Sequence, residues 1–367
     1  MSRSDTVFRC AVLSVLKHAY VPNGVAAHPR FEIVVVADDE GIPDWAHERN
    51  QKYADEHGVP YIRDVEKALK EHDVQVAIVS SEAERHCELA VRAANAGLHI
   101  VQDKPMSTKL SECDRLVEAV ERNRVKHLMW NRNFLPSILH AHEVIQSGEI
   151  GELRAVHGDF YFAKSSGPPL GSRGPNDPPI DWLQRQIESH VDGSDGGLGR
   201  EAMGELQNEG IYPLAQLRML TGVEVKRVYA RATAHVNQVH ADNGVDDLAT
   251  VSLEMENGLI GSLCMGRIGA SSHPNIGELK LHILGSKGAF IVNEPRPEVA
   301  VYYRDQPSTE YPHRRVGGEL DFLLMENFSK AIDEDGDTIL DAKSGRQIVA
   351  LIDAALESVR TGKPITL

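Results

Sequence analysis

Apolar and polar positions along this chain follow two regimes. In the first, short apolar runs without alternation recur: VFRCAVL at 7–13, FEIVVVA at 31–37, VQVAIVS at 74–80, HIVQ at 99–102 and KHLMW at 126–130. Runs of this kind suit parallel strands covered on both faces. Helical patterns separate them. About one helix of chain lies between the first two runs. DWAHERNQKYADEH at 44–57 reads as a helix opened by Asp44 and ended by Gly58. A short strand, VPYI, and a helix at 64–71 follow. Ser81-Glu82-Ala83-Glu84 has the form of a capping box, and the helix it opens carries Cys87, Ala90, Val91 and Ala94 on one face and stops at Gly97. Residues 108–123 form an amphipathic helix through Leu110, Leu116, Val117 and Val120. Strict alternation of strand and helix predicts a doubly wound parallel sheet over residues 1–130.

The second regime begins after a helix at 136–147 that ends at Gly148. Strands now follow one another closely: LRAVHGDFYFA, VKRVYARATAHV, LATVSLEME, LIGSLCMG, ELKLHILGS, GAFIVN and VAVYYR. Several alternate with period two and are joined by turns such as Glu256-Asn257-Gly258 and Gly285-Ser286-Lys287-Gly288. One helix at about 204–221 and a closing helix at about 341–360 complete the reading. Residues 131–367 are therefore expected to form an α+β domain with a large, mostly antiparallel sheet. The Gly- and Pro-rich stretch 165–203 reads as a long functional loop near the mouth of that domain.

Composition narrows the class. The chain has 367 residues, 41% hydrophobic and 25% charged, which suits a two-domain globular protein. No apolar run approaches the ~20 residues a membrane span requires. The polar start MSRSDTVFRC lacks the apolar core of a signal peptide, so a cytoplasmic location is expected. A formal charge of −15 argues against nucleic-acid partners, while a local turn can still bind a small anion. Cys10, Cys87, Cys113 and Cys264 show no C-x-x-C pairing and read as reduced thiols. The pairs His140/His142 and His235/His240 lack helical ligand spacing, and no metal site is expected.

In open sheets of the first kind, ligands bind at the carboxyl ends of the strands. Four such ends carry polar chemistry: Ser14 to His18, Ala37 to Glu40, Ser80 to Glu82, and Asp103-Lys104-Pro105. Asp38 suits an adenosine ribose and repels a 2′-phosphate, so NAD is favoured over NADP; the same residue also suits a turn cap. Lys104 sits between an acid and a proline, where an ammonium can polarise a substrate oxygen, and X-Pro bonds at such turns admit the cis form. The turn Ser14-Val15-Leu16-Lys17-His18 holds no glycine, although a dinucleotide fingerprint places glycines there for close approach to the pyrophosphate. Ser14 costs little if its φ is negative; Leu16 requires a rebuilt turn; Lys17 and His18 are placed to supply charge directly.

Here the sequence resembles a known family. "AGLHIVQDKPMS" looks like the Glu-Lys-Pro segment of the glucose–fructose oxidoreductase, inositol dehydrogenase and rhizopine-catabolism (Gfo/Idh/MocA) family. "NRNFLPSILHAHEVIQSGEIGELRAV" is similar to its inter-domain linker, with Phe134, Pro136, Gly148, Ile150, Gly151 and Glu152 in place. "SSEAERHCELAVRAANAGLH" resembles its nicotinamide-side loop and helix, with His86 and Gly97 matching. "GELQNEGIYPLAQLRMLTG" looks like its Asp-x-Gly-x-His helix in the variant with Tyr for His, as in the glucose–fructose oxidoreductase branch. The matches run in order over nearly the whole chain.

The resemblance implies a Rossmann-like N-terminal domain binding NAD through Ser14, Lys17, His18, Asp38, Ser80, Ser81, Glu82, His86, Asp103 and Lys104. It implies Lys104 at the reacting hydroxyl and Tyr212 at the acid/base position, a phenol assisted by an ammonium. Asn208 stands where the family has Asp, so it hydrogen-bonds rather than carrying charge, and Asp103 replaces the usual Glu. Trp182, Arg267 and His273 are candidate sugar contacts beside Lys104, Asn208 and Tyr212. The implied activity is hydride transfer between nicotinamide and a secondary alcohol or ketone of a sugar, glycoside or inositol-type polyol, by a homodimer or homotetramer joined through the outer face of the sheet. The missing glycines and Asn208 leave a second reading open: a non-catalytic dinucleotide or sugar sensor on the same fold.

Overall fold

The structure, a computed structural model, describes residues 6–131, 133–162, 203–267, 277–296 and 317–367. It divides into two compact units, one made of Met1–Arg132 with Gly318–Ala350 and the other of Asn133–Gly317 with Leu351–Leu367.

The first unit alternates β1 (Phe8–Leu13), α1 (Tyr20–Ala26), β2 (Phe31–Ala37), α2 (Asp44–His57), β3 (Tyr61–Ile62), α3 (Val65–Glu71), β4 (Val76–Val79), α4 (His86–Asn95), β5 (His99–Gln102), α5 (Leu110–Asn123) and β6 (His127–Met129). All strands pair in parallel, in the order β3-β2-β1-β4-β5-β6. The order reverses between β1 and β4, the switch point of a doubly wound sheet. The apolar runs explain why these strands are central: Ala11, Val12, Leu13, Val76, Ala77, Ile78 and Val79 are fully buried. Gly58 takes φ 66° to end α2, a conformation that costs other residues more.

The expected capping box does not form. The Ser81 hydroxyl donates to the Glu82 carbonyl, and a 3-10 turn over Ala83–Arg85 precedes α4. The reason lies in His86, whose ring occupies the Ser81 carbonyl and draws the start of the α-helix forward.

The second unit holds α6 (Pro136–Gln146), β7 (Leu153–Phe162), α7 (Glu205–Glu209), α8 (Ile211–Thr221), β8 (Val225–Thr233), α9 (Gln238–Asp242), β9 (Leu248–Met255), β10 (Ile260–Arg267), β11 (Gly277–Gly285) and β12 (Ala289–Arg296). The chain closes with α10 (Gly317–Asp333), α11 (Ala342–Thr361) and β13 (Ile365–Thr366). The sheet order is β12-β11-β7-β10-β9-β8-β13, antiparallel except for the β7–β10 pair. Alternation along β9 buries Ala249, Val251, Leu253 and Met255. The single helix expected at 204–221 is split into α7 and α8. Pro213 lacks the N–H that would bond to the Glu209 carbonyl across the join. The expected strand VAVYYR and most of the 165–203 loop lie outside the described residues.

The helix α10 had no counterpart among the expected elements. It buries Leu324, Met325, Phe328 and Ala331, and Phe328 stacks on Phe31 of β2 with ring centroids 6.1 Å apart.

Candidate active site

The glycine-free turn is folded by its neighbours. Ser14 donates from its backbone to the Ala37 carbonyl at 2.9 Å, Val15 to Asn50 Oδ1 at 2.8 Å and Lys17 to the Ser80 carbonyl at 3.1 Å. Leu16 leaves the turn and packs on Ile42 and Ala46. Ser14 has φ 65°, so the first fingerprint position does demand the glycine conformation and a serine fills it. The low cost expected for negative φ does not apply; an L-residue there loses roughly 1 kcal/mol. The first helix begins only at Tyr20 and is 7 residues long.

At the ends of β4 and β5, polar groups interlock. Asp103 is fully buried; its Oδ2 accepts from His18 Nδ1 at 2.6 Å and its Oδ1 from the Lys104 backbone at 2.7 Å. Ser80 Oγ donates to the His18 carbonyl at 2.8 Å. Burial alone would raise the Asp103 carboxyl, but the facing His18, His86 and Lys17 outweigh it and hold the acid well below the usual range. Burial pushes His18 down, against the pull of the facing Asp103 carboxylate. Lys104 is 2% exposed, and the Lys104–Pro105 bond is cis. His86, also fully buried, lies 2.7 Å from the Pro105 carbonyl and 2.9 Å from that of Ser81. Burial pushes His86 down, against the pull of Asp103 and of the two carbonyls.

Asp38 ends β2 and has no exposed surface. Its Oδ1 accepts from Arg85 Nη2 at 2.7 Å and the Asp39 backbone at 2.9 Å, while Oδ2 accepts from Asn50 Nδ2 at 3.0 Å. Neither Arg85 nor Asn50 stood out in the sequence. Their role arises because α2 and the turn before α4 both meet the end of β2. Glu82, the last of the predicted loop acids, accepts from Arg85 Nη1 at 3.3 Å.

In the second unit, Tyr212 opens α8, is 1% exposed and faces the Phe160 ring at 6.0 Å between centroids. Gly210 lets this turn close, since a Cβ there would fall 2.3 Å from the Leu206 carbonyl oxygen. Asn208 donates from Nδ2 to Glu209 Oε1 at 3.2 Å. Arg267 is buried beneath α7, its Nε donating to Glu205 Oε1 at 3.0 Å and Nη2 lying 3.5 Å from Glu209. His240 reaches the same Glu205 oxygen at 3.3 Å. Burial would raise Glu205, but Arg267 and His240 hold it down at about 2. Burial pushes the adjacent Asp246 up to about 6, with Glu205 adding to the rise. Glu205, Glu209 and Asp246 were not singled out in the sequence, where nothing sets them apart from surface acids. Trp182 and His273 lie outside the described residues.

A dinucleotide fits the donor set of the first unit. Ser14 Oγ, fully buried at the end of β1, has no hydrogen-bond partner among the described residues. An unmet hydroxyl beside Lys17 and His18, at the switch point of the sheet, suits a phosphate group, and Asp38 stands where a ribose is recognised. The fold and these strand ends together define a dinucleotide-binding protein with a second, α+β unit.

The comparisons carry this further. Residues 16–131 match the oxidoreductase family with an NAD-binding Rossmann fold, and residues 138–291 match the Gfo/Idh/MocA C-terminal domain. An uncharacterised oxidoreductase of Bacillus subtilis is 25% identical over 335 residues, covering 89% of each chain. The levoglucosan dehydrogenase of Pseudarthrobacter phenanthrenivorans is 23% identical, covering 87% of this chain and 86% of its own. In structure, the scyllo-inositol dehydrogenase of Lactobacillus casei, solved with NAD(H) and scyllo-inositol, superposes with a TM-score of 0.74 at 15% identity, covering 98% of this chain and 99% of that one. The chain belongs to the Gfo/Idh/MocA oxidoreductase family. Of the two readings open from the sequence, the family supports the enzyme, with NAD as cofactor.

Proposed function

We propose that this oxidoreductase interconverts a secondary alcohol and a ketone on a sugar, glycoside or inositol-type polyol. The observation that carries the reading is Lys104: an ammonium 2% exposed at the end of β5, in an NAD-binding domain. Burying an ammonium is costly, and such groups concentrate where chemistry uses them. Relatives that act on inositol and on levoglucosan supply the substrate class.

NAD, when bound, supplies the hydride acceptor. The chain's own residues do the rest. Lys104 places positive charge against the substrate oxygen. Asp103 fixes the Lys104 backbone and is itself fixed by His18. Tyr212 gives or takes the hydroxyl proton, and Asn208 orients the substrate through its amide. Ser14, Lys17 and His18 hold the phosphates, while Asp38, Ser80, Ser81, Glu82 and His86 shape the rest of the cofactor site. Trp182 and His273 remain candidate sugar contacts. Arg267, held by Glu205 and Glu209, serves substrate binding by keeping α7 and Asn208 in place.

The assembly is read as a homodimer or homotetramer through the open face of the seven-stranded sheet, where Tyr229, Ile260 and Ile291 are exposed. No helix among the described residues is long and apolar enough to cross a membrane; a cytoplasmic location accords with the use of NAD.

The test is a spectrophotometric panel: purified protein, NAD and a series of inositols, sugars and glycosides, read as formation of reduced nicotinamide. Turnover is expected on at least one polyol. Lys104→Met and Tyr212→Phe should each lower kcat by roughly a hundredfold or more, the usual share of a positioned proton-transfer group. A panel with no turnover, or full activity in both variants, would refute the assignment.

A further inference from the structure

The adenosine end of the cofactor domain carries a resident cation. Arg85, on the 3-10 turn between β4 and α4, is 5% exposed. Its Nη2 donates to Asp38 Oδ1 at 2.7 Å and to Asp39 Oδ2 at 3.2 Å, and its Nη1 to Glu82 Oε1 at 3.3 Å. Asn50 donates to the other Asp38 oxygen at 3.0 Å. The ribose acid therefore has protein donors on both oxygens.

An acid at the end of this strand discriminates in two ways. It accepts from the ribose hydroxyls, and its charge repels a phosphate on the 2′ oxygen. Both depend on a carboxylate that is electrically exposed. A guanidinium at contact distance cancels most of that charge and offers a planar fork of donors, the geometry that suits phosphate oxygens. The surroundings stay acidic nonetheless. Asp38, Asp39 and Glu82 pair with Arg85, and Arg92 is bonded to both Asp39 and Glu66, so four carboxylates gather around two guanidinium groups. NAD thus keeps the advantage, by a smaller margin than a bare aspartate would give.

We propose that Arg85 sets the cofactor preference of this enzyme, screening Asp38 and so narrowing the discrimination between a 2′-hydroxyl and a 2′-phosphate. The inference rests on the assignment of the cofactor-binding residues around the end of β2. It concerns binding alone and needs no substrate.

The experiment measures dissociation constants of NAD and NADP by calorimetry on the full-length protein, with circular dichroism to check the fold. Wild type should bind NAD more tightly than NADP, with both measurable. Arg85→Gln removes the charge and should widen the NAD-over-NADP ratio by about tenfold or more, mainly through loss of NADP. Arg85→Lys keeps the charge and should leave the ratio within about threefold of wild type. If the glutamine variant does not fold, Arg85→Met makes the same measurement. Equal loss of both cofactors in the neutral variant overturns the proposal, since Arg85 would then be a structural brace. A lysine variant that behaves like the glutamine one overturns it too. Failure of wild type to bind either dinucleotide would remove the cofactor-site assignment along with it.

Discussion

Ser14 shows how a single residue departs from its family pattern without changing the backbone. The chain keeps the left-handed turn that glycine normally supplies, at φ 65°, and puts a hydroxyl there instead. Two costs meet at one residue: a strained φ and a buried oxygen with no partner among the described residues. Ser14→Gly should therefore raise stability by about 1 kcal/mol, partly offset by the freer unfolded chain. Urea denaturation checks it, and a variant less stable than wild type would contradict the strained turn. The missing glycines were legible in the sequence; that the backbone would still adopt the glycine conformation was not. Asn50, Ser80 and Ala37 impose it from three other elements, and no local rule connects them to residue 14.

At the scale of elements, α7 and α8 present the GELQNEGIY segment, and buried charge holds them. Arg267 at the end of β10 reaches Glu205 and Glu209, one turn apart on α7. Arg267→Met should cost about 3–5 kcal/mol, because it takes the guanidinium away from two buried carboxylates while leaving the rest of the cluster in place. The urea midpoint reports this, and a loss below about 1 kcal/mol would mean that the acids are hydrated instead. The pattern of apolar residues placed β2, α2 and β5 at their observed bounds, since those elements carry their signals locally. It failed at Ser81, where the His86 ring five residues on takes the Ser81 carbonyl, and at α10, whose partner Phe31 lies far along the chain.

Across the whole molecule, stability should respond to pH through groups in both units. His127 is buried, with Nε2 donating to Gln102 Oε1 at 2.8 Å, and burial pushes its pKa down to about 4. The unfolded chain takes up a proton below about 6.5 that the native state refuses, so stability falls as pH drops from there to about 4, by on the order of 3 kcal/mol. Asp246, pushed up to about 6 by burial, acts with the opposite sign in its own unit: the native state holds the proton, and stability is gained as pH falls toward the usual carboxylate range. Asp246→Asn should therefore make the acid-side loss steeper than in wild type when urea midpoints are followed from neutral pH to pH 4. Parallel curves would show that Asp246 ionises normally. The sequence by itself determined the parallel sheet and the mostly antiparallel sheet that follows it, the order of most strands and helices, the strand-end positions of Asp38 and Lys104, and the helical place of Tyr212, because apolar periodicity, turn residues and motif spacing are properties of neighbouring positions. Only the tertiary structure decided that Asp38 is shared with Arg85 and Asn50, that Asp103 is clamped by His18, and that Arg267 sits in an ion-pair cluster beneath α7. Those pairings depend on which strand ends the crossovers bring together, and charge interactions between residues dozens of positions apart leave no periodic trace in the chain.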